Sequence, residues 1–511
     1  MSCAMSSLAC TIAATLPSFI PNRLQTSMNL LSLDFAGYFL LFFVGYWLLQ
    51  PSAWLQNMML LLASLGFMAM VSPEALLVLL AWTTLIWLLG GYIRRGGRRS
   101  IANTLLIIMV VGFFFVFKYY HAMQDTLDHW RAALGLGSHL PVMEMLAPLG
   151  LSFYVFHSIS YIVSLQRTEE DKGRGALPFE HIDGRPDSFF GVLLYLSFFP
   201  SIVAGPINRA AQFFPQLMPL QPRQLEQPAR AIGLIVLAMV KLFLISDYLD
   251  KHLVAPIFSA PTNASPLASL TAVLAYAWQI YMNFSGYTNL VTGIALLLGF
   301  QLPRNFNAPY LALDLKEFWG RWHMSLSQFI RDYIYIPLGG SRCGALRQNA
   351  NVFIAMVLSG IWHGAGLNFV LWGALHGAGL VVVNVFQQGR SGPHGKRWLT
   401  FPAPIARLLT FAFICLTWVF FRANNVDDAT TLLDNIGHIT PSMLVHPSAL
   451  IMWALVLIVM TYRWIEKGKL ALWKGLAALP LWAYPLCLIA VITLIFMLAP
   501  AGTPGFIYAN F

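Results

Sequence analysis

Charged residues are scarce in this chain. Asp, Glu, Lys and Arg make up 10% of its 511 residues and hydrophobic residues 58%, whereas a soluble protein has about 25% charged residues. This composition excludes an ordinary soluble protein. Apolar runs of about 20 residues, each long enough to cross a bilayer, recur along the whole chain. We predict an all-α polytopic membrane protein, because a backbone exposed to lipid must satisfy its own hydrogen bonds.

Signatures of metal, nucleotide and covalent-nucleophile sites are also missing. The five cysteines are scattered and form no CxxC pair, so we predict neither a disulfide framework nor a zinc site. The sequence has no P-loop, GxGxxG, GxSxG or HExxH motif, and we expect no metal and no tightly bound cofactor. The net charge of +10 is carried by short loops rather than by a basic stripe, so we expect no nucleic-acid partner.

The apolar runs define the predicted membrane spans, which are 30–50, 54–72, 75–92, 101–119, 143–165, 188–204, 229–249, 267–283, 285–300, 351–369, 370–387, 403–421, 447–464 and 480–499. Basic loops accumulate on the cytoplasmic side, so segments 94–99 and 463–474 are predicted to be cytoplasmic and the N-terminus to lie outside. The prolines and glycine of 205–228 would break a span, and we expect 188–228 to be partly re-entrant. Segment 301–347 is predicted to form amphipathic helices at or just below the cytoplasmic surface.

The domain organisation is simple. We find no internal repeat and no low-complexity tract, so residues 28–511 are treated as one transmembrane domain. Residues 1–27 are expected to be a poorly defined N-terminal extension. They lack the basic segment that opens a signal peptide, and Met28 begins a conventional start.

Two histidines lie in an apolar stretch, 351–379, that contains no Asp, Glu, Lys or Arg. Burying a titratable imidazole at membrane depth is costly, so such residues default to a functional hypothesis. A buried imidazole stays neutral and can accept a proton, which suits His363 to a general-base role. For His376 we favour a packing or supporting role, and for His157, in another apolar run, a hydrogen bond to a neighbouring helix.

A third histidine, His323, lies in the polar and aromatic stretch 317–342. The residues alone are equally consistent with an interfacial helix and with a functional site. The charged residues around it are Asp314, Lys316, Glu317, Arg321, Arg331 and Asp332. They form either a solvated surface or a docking site for the phosphates of a pantetheine-type donor or for an acidic carrier protein. Because no Ser or Cys nucleophile motif is present, direct transfer assisted by histidine fits better than a covalent acyl-enzyme.

The stretch 280–342, followed by 359–377, resembles the membrane-bound O-acyltransferase (MBOAT) family. The similarity is to its bacterial branch of alginate O-acetylase (AlgI) and teichoic-acid D-alanylation (DltB) proteins, and it includes 152–167 and 198–209. The resemblance covers roughly 30–500, with a motif core at 280–379. It implies a ring of about 11–14 transmembrane helices, with re-entrant and interfacial helices, around a central tunnel.

The resemblance also implies roles for individual residues. The catalytic histidine of the family falls on His363, in a Trp-His-Gly motif, and the second functional histidine on His323, in an Arg-Trp-His motif. The residues expected to bind substrate or support the site are Trp322, Arg321, Trp362, Ser325, Arg331, Asn283 and His376. Asn283 and Asn289 stand where this branch usually has Asp, so no carboxylate role is expected there.

The activity implied by the resemblance is O-acyl transfer at a bacterial inner membrane, with a periplasmic N-terminus. The donor would be a cytoplasmic thioester, acetyl-CoA, and the acceptor an exported polysaccharide such as alginate or cellulose. The expected partners are membrane lipid, a periplasmic acetyltransferase that relays the acyl group, and a polysaccharide synthase or export complex. Alternatives are D-alanyl transfer from a phosphopantetheinyl carrier, a proton-coupled transporter, and a non-catalytic assembly protein, against which the intact histidines argue.

Overall fold

The computed structural model describes residues 30–120, 123–124, 131, 150–166, 188–202, 205–217, 219, 221–388, 401–480 and 482–498. These residues form helices and connecting segments, with no β-strand among them. Seven helices in this part of the chain are long and apolar enough to cross a membrane. The prediction of an all-α polytopic membrane protein is therefore confirmed.

The helices of the first half are α1 Leu33–Leu48, α2 Ala53–Val71, α3 Pro73–Arg94, α4 Arg99–Phe114, α5 Leu151–Gln166, α6 Phe189–Ser197, α7 Phe199–Ile202, α8 Ala210–Leu217 and α9 Pro228–Phe258. Serines fix where several of them begin. Ser32, Ser52, Ser72 and Ser188 each accept a hydrogen bond from the backbone N–H three residues later. Such capping satisfies a helix N–H group that has no partner within the helix.

The helices of the second half are α10 Pro266–Leu297, α11 Leu315–Trp319, α12 Met324–Ile330, α13 Ala345–His363, α14 Leu367–Gln388, α15 Ala403–Arg422, α16 Val426–Gly437, α17 Pro441–Val445, α18 Leu450–Ala477 and α19 Ala483–Leu498. Two helices contain π-helical turns that carry a lysine. One such turn, Phe115–Tyr119, follows α4, and two lie in α9, at Val240–Ser246 and Asp250–Val254. π-helical turns often occur at functional sites because they change the direction of a side chain.

The central helix α10 corrects one sequence prediction. Two spans were predicted at 267–283 and 285–300, but the structure has one helix of 32 residues. Its length of about 48 Å exceeds the roughly 30 Å core of a bilayer. The polar residues at its middle do not end the helix because they are buried against neighbouring helices. Its N-terminal half packs into one large hydrophobic cluster of the described residues and its C-terminal half into another.

The boundary between α13 and α14 also differs from the prediction. A junction was expected at 369–370, but α13 ends at His363 and α14 begins at Leu367. Gly364 adopts an extended conformation that interrupts the helix. His363 is consequently the last residue of a helix rather than a residue in the middle of a span.

Two segments without simple spans pack inside the protein. Helices α6, α7 and α8 are too short to cross the roughly 30 Å hydrocarbon core, and their side chains are largely buried against α2, α3 and α5. This arrangement agrees with the re-entrant interpretation of 188–228. Helices α11 and α12 also bury their aromatic side chains, whereas 341–347 is largely exposed, so only part of 301–347 enters the core.

Candidate active site

His363 is held where α13 and α14 come closest together. A Cβ atom at Gly360 would lie 2.2 Å from the carbonyl oxygen of Phe369, and one at Gly373 would lie 2.5 Å from the carbonyl oxygen of Met356. Only glycine permits this approach of two backbones. The two helices therefore fix the position of His363 at their junction.

The imidazole of His363 lies among aromatic rings. The edges of Trp372 and Phe421 pack against it, each with a ring centroid 5.0 Å away, and the side chain is only 3% exposed. An apolar environment disfavours the imidazolium ion. The ring is thus oriented by packing and kept in the form that can accept a proton.

The C-terminal end of α13 is capped by two residues that the sequence analysis did not identify. The ammonium group of Lys118 donates hydrogen bonds to the carbonyls of Trp362 and His363, and the hydroxyl of Tyr119 donates to the carbonyl of Ile361 at 2.7 Å. These carbonyls have no partner within a helix, and a cation is favourable at this end. The only sequence signal was a lysine at the end of an apolar run.

His323 begins α12 with an unusual backbone. Its φ and ψ angles are 41° and 52°, in the left-handed region, where histidine occurs more often than most residues. Two backbone hydrogen bonds hold the turn, from Met324 N–H to the Asn305 carbonyl and from Asn307 N–H to the Arg321 carbonyl. Nδ1 of His323 lies 3.1 Å from Oδ1 of Asn305. Burial lowers the pKa of His323 to about 3.

The structure brings the two predicted catalytic histidines into one site. His323, His376 and Lys118 lie close enough to His363 for a positive charge on any of them to act on its imidazole. An aromatic layer joins the two motifs, because Trp418 contacts both Trp322, at 5.2 Å between centroids, and Trp372, at 6.0 Å. Residues that are 40 positions apart in the sequence therefore share one packed core.

His376 and His157 have the arrangement expected of supporting residues. Thr417 Oγ1 donates to the Ile414 carbonyl, so it accepts a hydrogen bond from Nε2 of His376 at 3.0 Å. His376 is fully buried between Trp319 and Trp372. His157 accepts a hydrogen bond from the backbone N–H of Asn208 at 3.1 Å, just before α8.

The other predicted site residues divide into two groups. Trp322, Ser325 and Asn283 are buried in or beside the core that contains His323 and His363, and the ring of Trp362 packs against Phe156. The remaining two predicted site residues are arginines, and they belong to the charged cluster of 314–332.

That charged cluster is internally paired. Arg321 contacts Glu317 at 2.7 Å, and Asp332 contacts both Arg209, at 2.9 Å, and Arg331, at 2.7 Å. Arg331 is mostly exposed. The arrangement favours the interpretation of a solvated and paired surface over that of a phosphate-docking site.

A cavity of about 730 Å³ lies beside this core, between α9, α10 and α18. Its cationic lining residues are Arg230, Lys241, Arg304, Lys469 and Lys474, and its acidic one is Glu226. Asn305, the neighbour of His323, also lines it. Within the described residues, no group of His, Cys, Asp and Glu side chains could hold a metal ion.

Lys241 is the deepest of these cations, and the sequence analysis missed it. It projects from the first π-helical turn of α9, donates to Ser285 Oγ at 2.9 Å and lies over the ring of Tyr281. A lysine inside the predicted span 229–249 is itself the signal that could have identified it, because charged residues at such positions are usually functional.

Comparison with known proteins identifies the class of enzyme that has this core. Residues 105–423 match the MBOAT, membrane-bound O-acyltransferase, family. The chain belongs to this family and is an O-acyltransferase, which confirms the family and the enzyme class predicted from the sequence and argues against the transporter alternative.

Relatives within the family act on different polymers, as their names state. The chain is 31% identical to the peptidoglycan O-acetyltransferase of Helicobacter pylori, over 80% of this chain and 79% of that protein. It is 32% identical to the probable alginate O-acetylase AlgI of Azotobacter vinelandii, over 76% and 74%. Identity to the teichoic acid D-alanyltransferase of Bacillus subtilis is 24%, over 55% and 70%.

Proposed function

We propose that this protein transfers an acetyl group from cytoplasmic acetyl-CoA to a hydroxyl group on the opposite side of a bacterial inner membrane, for O-acetylation of an exported polysaccharide such as alginate or cellulose. The observation that carries the proposal is the position of two buried histidines beside a cation-lined cavity. The names of the O-acetylating relatives support an acetyl group.

The reaction is a direct transfer. His363 accepts the proton of the acceptor hydroxyl as its oxygen attacks the thioester carbonyl. A C–O bond forms, the C–S bond breaks, and the proton passes from His363 to the leaving thiolate. General-base catalysis contributes about 10²–10⁴-fold, and holding both substrates in line contributes further. His323 either orients the donor or stabilises the oxyanion.

The cavity supports entry of the donor from the cytoplasm. Lys469 and Lys474 belong to the basic segment 463–474, whose charge predicts a cytoplasmic location. Cationic side chains suit the phosphates of coenzyme A. Lys118 ends a helix that begins beside the basic segment 94–99, so it lies toward the opposite face, from which the acceptor enters. With this orientation we propose a periplasmic N-terminus.

The acceptor side involves partners. A periplasmic acetyltransferase and the polysaccharide synthase or export complex are the partners we propose, and the direct acceptor is either the polymer or a relay protein. D-Alanyl transfer from a phosphopantetheinyl carrier is the second candidate, supported by the similarity to a teichoic acid D-alanyltransferase.

The test uses His363→Ala in a strain that makes the acetylated polymer. We expect the variant to reach the membrane at the normal level and the acetyl ester content of the polymer to be lost. The matched control is His438→Ala, because His438 is exposed at the end of α16. Unchanged acetylation by a normally inserted His363→Ala protein would contradict the assignment, and loss of ester-linked D-alanine instead would favour the second candidate.

A further inference from the structure

Asn305 connects His323 to the cavity. Its Oδ1 atom accepts hydrogen bonds from the backbone N–H of Ser325 at 3.2 Å and from Ser325 Oγ at 2.7 Å, and it lies 3.1 Å from Nδ1 of His323. Asn305 is only 1% exposed, yet it contributes to the lining of the cavity. It therefore joins the proposed donor site to one of the two histidines.

The hydrogen bonds around Asn305 define the orientation of its amide. A backbone N–H can only donate, so the amide atom facing Ser325 is the oxygen. Ser325 Oγ accepts from the backbone N–H of Ile207 at 3.0 Å and directs its own proton to Asn305. The position that faces His323 is consequently an acceptor.

This acceptor determines which nitrogen of His323 carries the proton. An amide oxygen cannot donate, so Nδ1 of His323 must be the donor in their contact. A neutral imidazole has one N–H, and burial keeps His323 neutral. Nε2 therefore carries the lone pair. In this tautomer Nε2 accepts a hydrogen bond and has no proton to offer to an oxyanion.

We propose that Asn305 is a positioning residue that fixes the Nδ1–H tautomer of His323, so that His323 serves acyl transfer as a hydrogen-bond acceptor at Nε2. The inference rests on the proposed function, which puts His323 in the reacting site. Of the two roles left open for His323, it selects orientation of the donor over stabilisation of the oxyanion. The amide of Asn305 supports it further. Its Nδ2 finds no hydrogen-bond partner in the described part of the chain, a cost that a residue kept only for packing would not carry.

A double-mutant cycle tests whether Asn305 acts through His323. The variants are Asn305→Ala, His323→Asn and the double variant, assayed as purified full-length protein in lipid nanodiscs. Asn is chosen at position 323 because it tolerates the left-handed backbone. We expect Asn305→Ala to lower kcat by roughly 10²-fold with the KM for acetyl-CoA unchanged. In the His323→Asn background the same substitution should have no further effect on kcat.

A pH profile separates positioning from a merely structural role. Asn305→Asp keeps the acceptor but places a carboxylate beside His323, which raises the pKa of its imidazole. Because the neutral form is the active one, the acidic limb of the kcat profile should move to higher pH while activity at alkaline pH is retained. The groups around His323 are His363 on α13 and the ring of Phe284 on α10, and Lys241 and Arg304 share the cavity lined by Asn305.

Three results would overturn the inference. Equal fold-losses for Asn305→Ala in both backgrounds would show that Asn305 acts independently of His323. An acidic limb that does not move in Asn305→Asp would leave Asn305 with a structural role only. Higher activity of Asn305→Asp at neutral pH would mean that protonated His323 donates to the oxyanion. Failure of the proposed function is distinguishable, because it shows as absent wild-type turnover of acetyl-CoA, and the cycle is then measured with the thioester that the wild type accepts.

Discussion

At the scale of single residues, backbone position separates the roles of the histidines. His363 ends a helix, and its ring is fixed by aromatic edges. His323 begins a helix in a left-handed conformation, and an amide oxygen orients its ring. His376 lies within α14 and hydrogen-bonds to a threonine of α15. The first two lie at helix ends, whereas the third lies within a helix.

The supporting role proposed for His376 leads to a prediction for His376→Phe. The substitution retains an aromatic ring in the layer beside Trp372 and removes one hydrogen bond, which is worth about 1 kcal/mol. We expect a small loss of thermal stability in detergent and turnover per folded molecule within about 10-fold of the wild type, far above that of His363→Ala. The measurements that test this prediction are kcat and the melting temperature of the variant. Abolished turnover at unchanged stability would show that His376 takes part in the chemistry.

At the scale of helices, the close packing of α13 on α14 holds the site. The substitution Gly360→Ala would press a methyl group against the Phe369 carbonyl, 2.2 Å away. Overpacking of this kind costs about 1–3 kcal/mol and displaces His363. We expect a lower unfolding temperature together with a lower kcat.

Gly66→Ala is the matched control for that prediction. Gly66 lies inside α2, and a Cβ atom added there would have no neighbouring atom within 4 Å. Replacing a helical glycine by alanine at an open position stabilises by about 0.5–1 kcal/mol, so this variant should be as stable as the wild type or more stable. If Gly360→Ala behaved like Gly66→Ala, the contact between α13 and α14 would not position His363.

The presence of the helices and much of the candidate site could be predicted from the sequence, but the residues that contact the site residues could not. Hydropathy indicates long apolar helices, and the motif resemblance identified His323 and His363. The polar residues in the middle of α10 led to the wrong prediction of two spans. A helix can continue where hydropathy falls when its polar side chains are buried against other helices. Lys118 and Asn305 were missed for a related reason. Lys118 contacts residues 244 and 245 positions away, and Asn305 contacts residues 18 and 20 positions away; such contacts leave no local pattern.

At the scale of the whole molecule, α10 organises the two halves of the protein around the site. Its two halves pack into different hydrophobic clusters, and its middle faces Lys241 and the cavity. The cavity reaches Asn305, and the end of α13 reaches Lys118. We propose that this arrangement lets one catalytic core be approached from both sides of a membrane.

The cavity yields a prediction for Lys241→Met. A charge-assisted hydrogen bond is worth about 1.5–3 kcal/mol, so losing this buried cation should raise the KM for acetyl-CoA roughly 10-fold with a smaller effect on kcat. Lys467→Met is the control, because Lys467 lies on α18 over Trp464 and does not line the cavity. Equal KM values for the two variants would show that the cavity is not part of the donor site.

We propose that a histidine-dependent core passes an acyl group across the membrane. The most direct measurement uses inverted inner-membrane vesicles from the producing strain, which expose the cytoplasmic face and retain periplasmic contents. Radiolabelled acetyl-CoA is added outside, and alkali-labile label is counted in the lumen. We predict that label accumulates with the wild-type protein and that none accumulates with His363→Ala at an equal amount of protein. Equal labelling by the two proteins would contradict the role proposed for His363.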